Sequence, residues 1–211
     1  MRVLSVAVCL GVLLLPGERA AAQGAEFEIT PFIGGAFFLS DLGPARDGTL
    51  GAATVNDLVQ SNNNSFAIGG RVGLSFGVVA VEGTFAYVPT EIATVGDVTH
   101  AADQSIILAG ADVLLKKAVN PFFGLFAAGG VGIKSSSSDD PFEELQLQPL
   151  GFSAGTDFMF DVGAGIWLDL FPSAALRFDV RDYISSFDVL GVSTTQHDLL
   201  VTAGLTWRPA G

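Results

Sequence analysis

The sequence predicts an all-β fold: an eight-stranded antiparallel up-and-down transmembrane β-barrel preceded by a cleavable signal peptide. Three observations carry that expectation. Eight segments of about ten residues or more alternate with period two, the connections between them are short and long in turn, and charge is confined to one face of the strands.

The first residues stand apart from the fold. Arg2 supplies a positive start, Val3 to Leu15 form a short apolar run, and Ala20-Ala21-Ala22 offers small side chains to a signal peptidase. The run is shorter than the ~20 apolar residues that cross a bilayer as a helix. Residues 1–22 are therefore expected to be a secretory leader cut after Ala22, and residues 23–211 the barrel domain. Cys9, the one cysteine of the chain, falls inside the leader, which excludes a disulfide framework and a Cys-rich zinc site. Without Arg2, Glu18 and Arg19 the remainder holds eight basic and 21 acidic residues, a net charge of −13. Such an acidic chain is not expected to bind nucleic acid, because phosphate neutralisation needs the opposite excess.

Hydrophobic residues make up 49% of the chain and charged ones only 15%. That balance is high for a water-soluble globule, yet no uninterrupted apolar run of helical span length follows residue 22. The hydrophobicity is spread over strands read at Glu26 to Leu39, Phe66 to Phe76, Val78 to Val88, Gln104 to Lys116, Pro121 to Ile133, Phe158 to Leu170, Ala174 to Ser185 and Gln196 to Arg208. Tight turns are expected at Phe76-Gly77, Lys117 to Asn120 and Phe171 to Ser173. Four long loops are expected at Ser40 to Ser65, Pro89 to Asp103, Lys134 to Asp157 and Ser186 to Thr195. Ten or eleven residues at about 3.4 Å each, tilted about 45°, cover roughly 25 Å, the height of the apolar band around an outer-membrane barrel. Both termini then lie on the short-turn, periplasmic side.

The two faces of each strand differ in kind. Phe66, Ile68, Val72, Leu74 and Phe76 share one parity, Ala67, Arg71 and Ser75 the other. In the seventh strand Leu176, Phe178 and Val180 alternate with Arg177, Asp179 and Arg181. A secreted lipocalin-like barrel has the same alternation, so parity does not say which face is inside. Composition does: an outward face in water would be rich in Lys and Glu, whereas the charged parity here is mostly Gly, Ala and Thr with isolated charges, as suits a narrow lumen. Phe27, Phe76 and Trp207 at the short-turn ends, with Phe37, Phe66, Phe85, Tyr87 and Phe158 at the loop ends, are placed to form aromatic girdles.

With its leader, eight strands, alternating connections and final strand His197 to Arg208, the chain resembles the small eight-stranded outer-membrane barrels of the OmpA and OmpX type over about residues 26 to 208. It departs from them in that Arg208-Pro209-Ala210-Gly211 follows Trp207, where those barrels end on an aromatic residue. The resemblance implies a bacterial outer membrane, insertion by the barrel-assembly machinery, and surrounding lipid and lipopolysaccharide as partners.

Charges of the inward parity form the only constellation with chemistry in it. A two-residue turn at Phe76-Gly77 sets Arg71 opposite Glu82. A three-residue turn at Phe171 to Ser173 sets Trp167 opposite Arg177 for a cation–π contact and Asp161 diagonal to Arg181. The predicted lumen network is Arg71, Glu82, Asp112, Arg177 and Asp179, acting as a plug that fixes register or as a gate whose pairs exchange. Phe32, Phe38, Phe122, Phe126 and Trp167 are expected to fill the lumen further.

No cofactor or metal is expected, since His100 and His197 have no ligand spacing around them. Ser193 with His197 and Asp198 is a conceivable hydrolytic triad, but it lacks any nucleophile-elbow spacing, and no enzymatic activity is expected. The acidic tract Asp139, Asp140, Glu143 and Glu144 reads as solvated loop. The expected role is structural, or surface interaction with an extracellular partner through the loops. A narrow passive channel for small or apolar molecules is the alternative, with a lipid-modifying enzyme or a secreted binding barrel behind it.

Overall fold

A computed structural model describes residues 25–40, 46–50, 53–95, 100–138, 155–189 and 192–209. The expected leader and the acidic tract Asp139, Asp140, Glu143 and Glu144 lie outside the described residues. Among the described residues there are ten strands: β1 (Glu26–Phe38), β2 (Arg46–Leu50), β3 (Ala53–Asn62), β4 (Ser65–Phe76), β5 (Val79–Val95), β6 (His100–Asn120), β7 (Phe123–Ser138), β8 (Gly155–Phe171), β9 (Ala174–Val189) and β10 (Val192–Trp207). Eight of them, β1 and β4 to β10, pair antiparallel with their sequence neighbours. β1 also pairs with β10, which closes the ring and leaves the membrane-spanning wall without an edge.

The faces divide as lipid outside and polar lumen inside require. Ile33, Phe66 and Phe160 are 66%, 62% and 56% exposed, while Arg71 and Arg181 are 1% and 0% exposed. Phe76, Trp207, Phe37, Phe85, Tyr87 and Phe158 of the expected girdles are on the outer surface, and Phe27 is half-buried. At the upper limit of the apolar band on β9 and β10, His197 Nδ1 lies 2.9 Å from Asp182 Oδ2.

The expected long loops are shorter than the sequence suggested, because the strands continue. Pairing of β5 with β6 runs on to Thr94 opposite His100, and β9 with β10 runs to Val189 opposite Val192. The first connection contains the β2–β3 hairpin, and β3 continues the line of β4 beside β5 after an irregularity at Asn63 and Asn64. Ser135 to Ser138, expected in a loop, belong to β7. Beyond the apolar band lipid no longer selects large apolar residues on alternate positions, and buried positions there are polar, such as Thr90, Gln104 and Gln196, but the backbone groups still gain by pairing and the ladder persists.

The tight turns also move. Phe76 pairs with Val79, so the first turn is Gly77-Val78, with Gly77 at φ 74° in the first central position that a type II′ hairpin turn gives to glycine. The pairing therefore slips by two residues from the expectation, and Arg71 faces Thr84 while Glu82 faces Gly73. The second turn is Pro121-Phe122: Asn120 Oδ1 accepts from the Phe122 N–H at 2.9 Å, an Asx turn that lets β6 run past Lys117. The third is Pro172-Ser173. A bulge between Asp169 and Phe171 restores the parity expected of a three-residue turn, so Trp167 does face Arg177.

Each short turn is tied to the next hairpin. Val78, Phe122 and Ser173 carbonyls accept from the N–H groups of Lys116, Asp169 and Arg208 respectively.

Candidate functional site

The lumen is built in layers, starting from β9. The alternation Arg177, Asp179, Arg181, Tyr183 points four consecutive inward residues into the barrel. Arg177 grips Glu82 with two nitrogens, Nη1 to Oε2 and Nη2 to Oε1 at 3.1 Å. Arg181 Nη2 reaches Glu82 Oε1 at 2.7 Å. Because β5 and β9 stand four strands apart in a ring of eight, these bonds cross the full width of the lumen. Arg181 also reaches Asp112 Oδ2 at 2.7 Å, Asp179 Oδ1 at 3.3 Å and Asp161 Oδ1 at 3.5 Å. Arg71 Nη2 lies 2.9 Å from Asp179 Oδ1 and 3.3 Å from Thr202 Oγ1, and its Nε lies 3.6 Å from Glu82.

All five residues singled out in the sequence, Arg71, Glu82, Asp112, Arg177 and Asp179, therefore lie in one cluster. Arg71 and Glu82 meet diagonally rather than face to face. Arg181 and Asp161 were absent from that set, although Arg181 is the hub. Its signal was its parity, shared with Arg177 and Asp179 along one strand. An isolated charge in so dry a space is costly, and multiple charge-assisted hydrogen bonds recover much of that cost.

Aromatic rings and glycines complete the layer. The Arg71 guanidinium lies 4.0 Å from the centroid of the Phe32 ring, and that of Arg177 lies 4.4 Å from Phe126. The expected contact between Arg177 and Trp167 is replaced by Phe126, which stacks on Trp167 with centroids 6.5 Å apart. Trp167 instead lies 5.3 Å from Lys116 Nζ. Each ring lies over an inward glycine on the neighbouring strand: Phe32 over Gly69, Phe126 over Gly165 and Trp167 over Gly124. A side chain at Gly124 has no room. Gly124→Val is expected to displace the Trp167 ring and cost about 1–3 kcal/mol. With Trp167→Phe as the spectral blank, tryptophan emission checks this, and unchanged Trp167 emission would refute the packing. Phe122, expected inside, is 72% exposed, since it forms the second turn.

Further charge clusters lie toward each end. At the short-turn end Glu28 Oε1 accepts from Lys116 at 2.8 Å and Arg208 at 3.2 Å, and Arg208 reaches Asp169 at 2.6 Å. Arg208, the first of the residues that depart from the family ending, thus closes this rim. Toward the loop end Lys134 Nζ binds Asp198 Oδ2 and, at 3.0 Å, Gln196 Oε1. Sequence reasoning missed both clusters, although Lys116 and Lys134 have inward parity on their strands. Between the central layer and the loop end sits an apolar layer that includes Phe32, Val88, Ile106, Leu108, Met159 and Leu200. A cavity at the short-turn end, lined by Glu28, Lys116, Trp167 and Arg208 among others, measures about 10 Å³, near the lower limit for one water.

The conceivable triad does not assemble. Asp198 points into the lumen toward Lys134, while His197 pairs with Asp182 on the outer surface, since neighbours along a strand face opposite ways. The side chains of His100 and Ser193 lie outside the described residues. No group of three or more metal-ligating side chains occurs among the described residues.

Over residues 8–206 the chain matches the family model described as outer membrane protein beta-barrel domain. No curated protein matches it. Among solved structures it is similar to the outer membrane protein OprG from Pseudomonas aeruginosa, at 17% identity and TM-score 0.60 over 88% of this chain and 97% of that one. Neisserial surface protein A is similar at 10% identity and TM-score 0.56 over 88% and 99%. Outer membrane protein AlkL, solved in lipid bilayers, is similar at 13% identity and TM-score 0.55 over 88% and 91%. At these identities the likeness is one of fold.

Proposed function

The chain belongs to the outer membrane protein beta-barrel family, and on that premise we propose that it is a sealed barrel whose role, structural or one of surface contact, is exercised from its extended loop end. The observation that carries this reading is the set of bonds from Glu82 on β5 to Arg177 and Arg181 on β9, which bars the lumen at its full width. With Arg71, Asp112, Asp161 and Asp179 they form the plug, and the apolar layer above adds a second barrier. An eight-stranded barrel has an interior that side chains can fill, which favours a plug over a pore.

On the same reading residues 1–22 are a leader removed after Ala22, both termini face the periplasm, and the barrel-assembly machinery inserts the chain among lipid and lipopolysaccharide. Its role is read as non-enzymatic, and its extracellular partner meets the paired hairpins above the membrane. Planar-bilayer recording tests the seal. No channel steps are expected from the purified barrel, and reproducible steps altered by Arg177→Ala would make the network a gate and the protein a narrow channel.

A further inference from the structure

The central layer holds four carboxylates, Glu82, Asp112, Asp161 and Asp179, against three guanidiniums, Arg71, Arg177 and Arg181. If every group were ionised, one negative charge would be left over in a space closed to water. The surplus can be located. Asp112 on β6 and Asp161 on β8 are both cross-strand partners of Gly130 on β7. With no side chain between them, the two carboxylates lean over the glycine from either side. A Cβ built on Gly130 would run into both, lying 2.7 Å from Asp161 Oδ2. Asp112 Oδ2 is held by Arg181 at 2.7 Å and by the Thr84 hydroxyl at 2.9 Å. Asp161 Oδ1 has only the 3.5 Å contact with Arg181, and its Oδ2 is buried with no hydrogen-bond partner.

We propose that Asp112 and Asp161 form a proton-binding site over Gly130, the proton resting on Asp161 Oδ2 and donated to Asp112 Oδ1. Two buried carboxyls that flank a single glycine cannot both carry charge cheaply, and one shared proton turns their repulsion into a hydrogen bond. The layer then balances, with three arginines and three carboxylates. The groups facing the pair from the packed strands are Arg71 on β4, Glu82 on β5, and Arg177, Asp179, Arg181 and Tyr183 on β9. Tyr183 stands opposite Asp161, and its hydroxyl also lacks a partner. On β7 the residue between the two carboxyls is Gly130 itself.

Folding therefore takes up a proton that the unfolded chain, with ordinary carboxyls, releases. The stability that this adds is complete at acid pH and declines by about tenfold in the unfolding constant per pH unit once the unfolded carboxyls ionise. It is gone when the folded pair lets the proton go.

The test is an infrared spectrum of the barrel refolded in lipid at neutral pH, taken with and without isotopic labelling of aspartate carboxyls. A protonated carboxylic carbonyl band that shifts with the label is expected. Asp161→Asn, whose amide N–H can donate in place of the acid, should remove the band and flatten the urea-unfolding pH dependence by one proton. A wild-type barrel without the band at neutral pH overturns the proposal even if the variant fails to fold. So does a pH dependence unchanged by Asp161→Asn. Stability that tracks sodium or potassium concentration with no band present would put an alkali cation where the proton is proposed.

Discussion

Arg181→Met is expected to cost the folded barrel about 3–5 kcal/mol, the largest loss of any single lumen substitution. The guanidinium it removes is fully buried and lies within ion-pair distance of Glu82, Asp112, Asp161 and Asp179. Methionine roughly conserves the volume, so the loss comes from carboxylates left without a counter-charge in a dry space. Urea titration of the barrel in lipid vesicles, followed by heat-dependent gel mobility, reads the effect. The double variant Arg181→Met with Asp112→Asn should recover a substantial part, because it removes one of the stranded charges along with the arginine. Losses that add in the double variant would mean that the two side chains do not act on each other and that the cluster is a set of independent pairs.

The second large effect belongs to the outer surface. Val201 on β10 faces outward beside Val180 of β9, midway between Trp207 at the short-turn rim and His197 at the upper limit of the apolar band. Val201→Arg is expected to cost about 2–4 kcal/mol, the penalty for an arginine near the bilayer midplane. Thr195→Arg, on the same face of the same strand but above the band, should change stability by no more than about 0.5 kcal/mol. The pair of measurements maps where lipid ends. Equal, small effects at both positions would show that water bathes the surface around Val201.

How far the fold could be read from the sequence varied with what each segment touches. The eight spanning strands were legible because each lies between lipid and a narrow lumen, a difference of environment that forces alternate residues to differ in kind, as Phe178 and Val180 differ from Arg177 and Asp179. That contrast ends above the membrane. The residues between Pro89 and Asp103, or Ser186 and Thr195, carry no apolar parity that separates a paired strand from a loop, because lipid no longer selects large apolar side chains at alternate positions.

Turn positions were harder to read, for a local reason. Gly77 takes a left-handed backbone at the first central position and displaces Phe76 back into the strand. Asn120 caps its own turn from within β6. The five lumen charges were found by parity, and the register error at the first turn did not separate them because a slip of two residues keeps every side chain on its own face. Their exact partners were not legible. Glu82 on β5 bonds to β9 across the ring, and no rule of adjacent strands reaches that far.

The height of the wall has a consequence for what approaches the cell. β6 alone runs 21 residues, about 50 Å along the barrel axis at a 45° tilt, so roughly half of it stands clear of the ~25 Å apolar band. Backbone held in a ladder does not enter a protease cleft, which needs several residues in extended, unpaired form. Shaving intact cells with a broad-specificity protease should accordingly leave the stretch from 100 to 138 uncut, and a visiting protein would meet, along β6 and β7, a stiff wall whose shape is settled before contact.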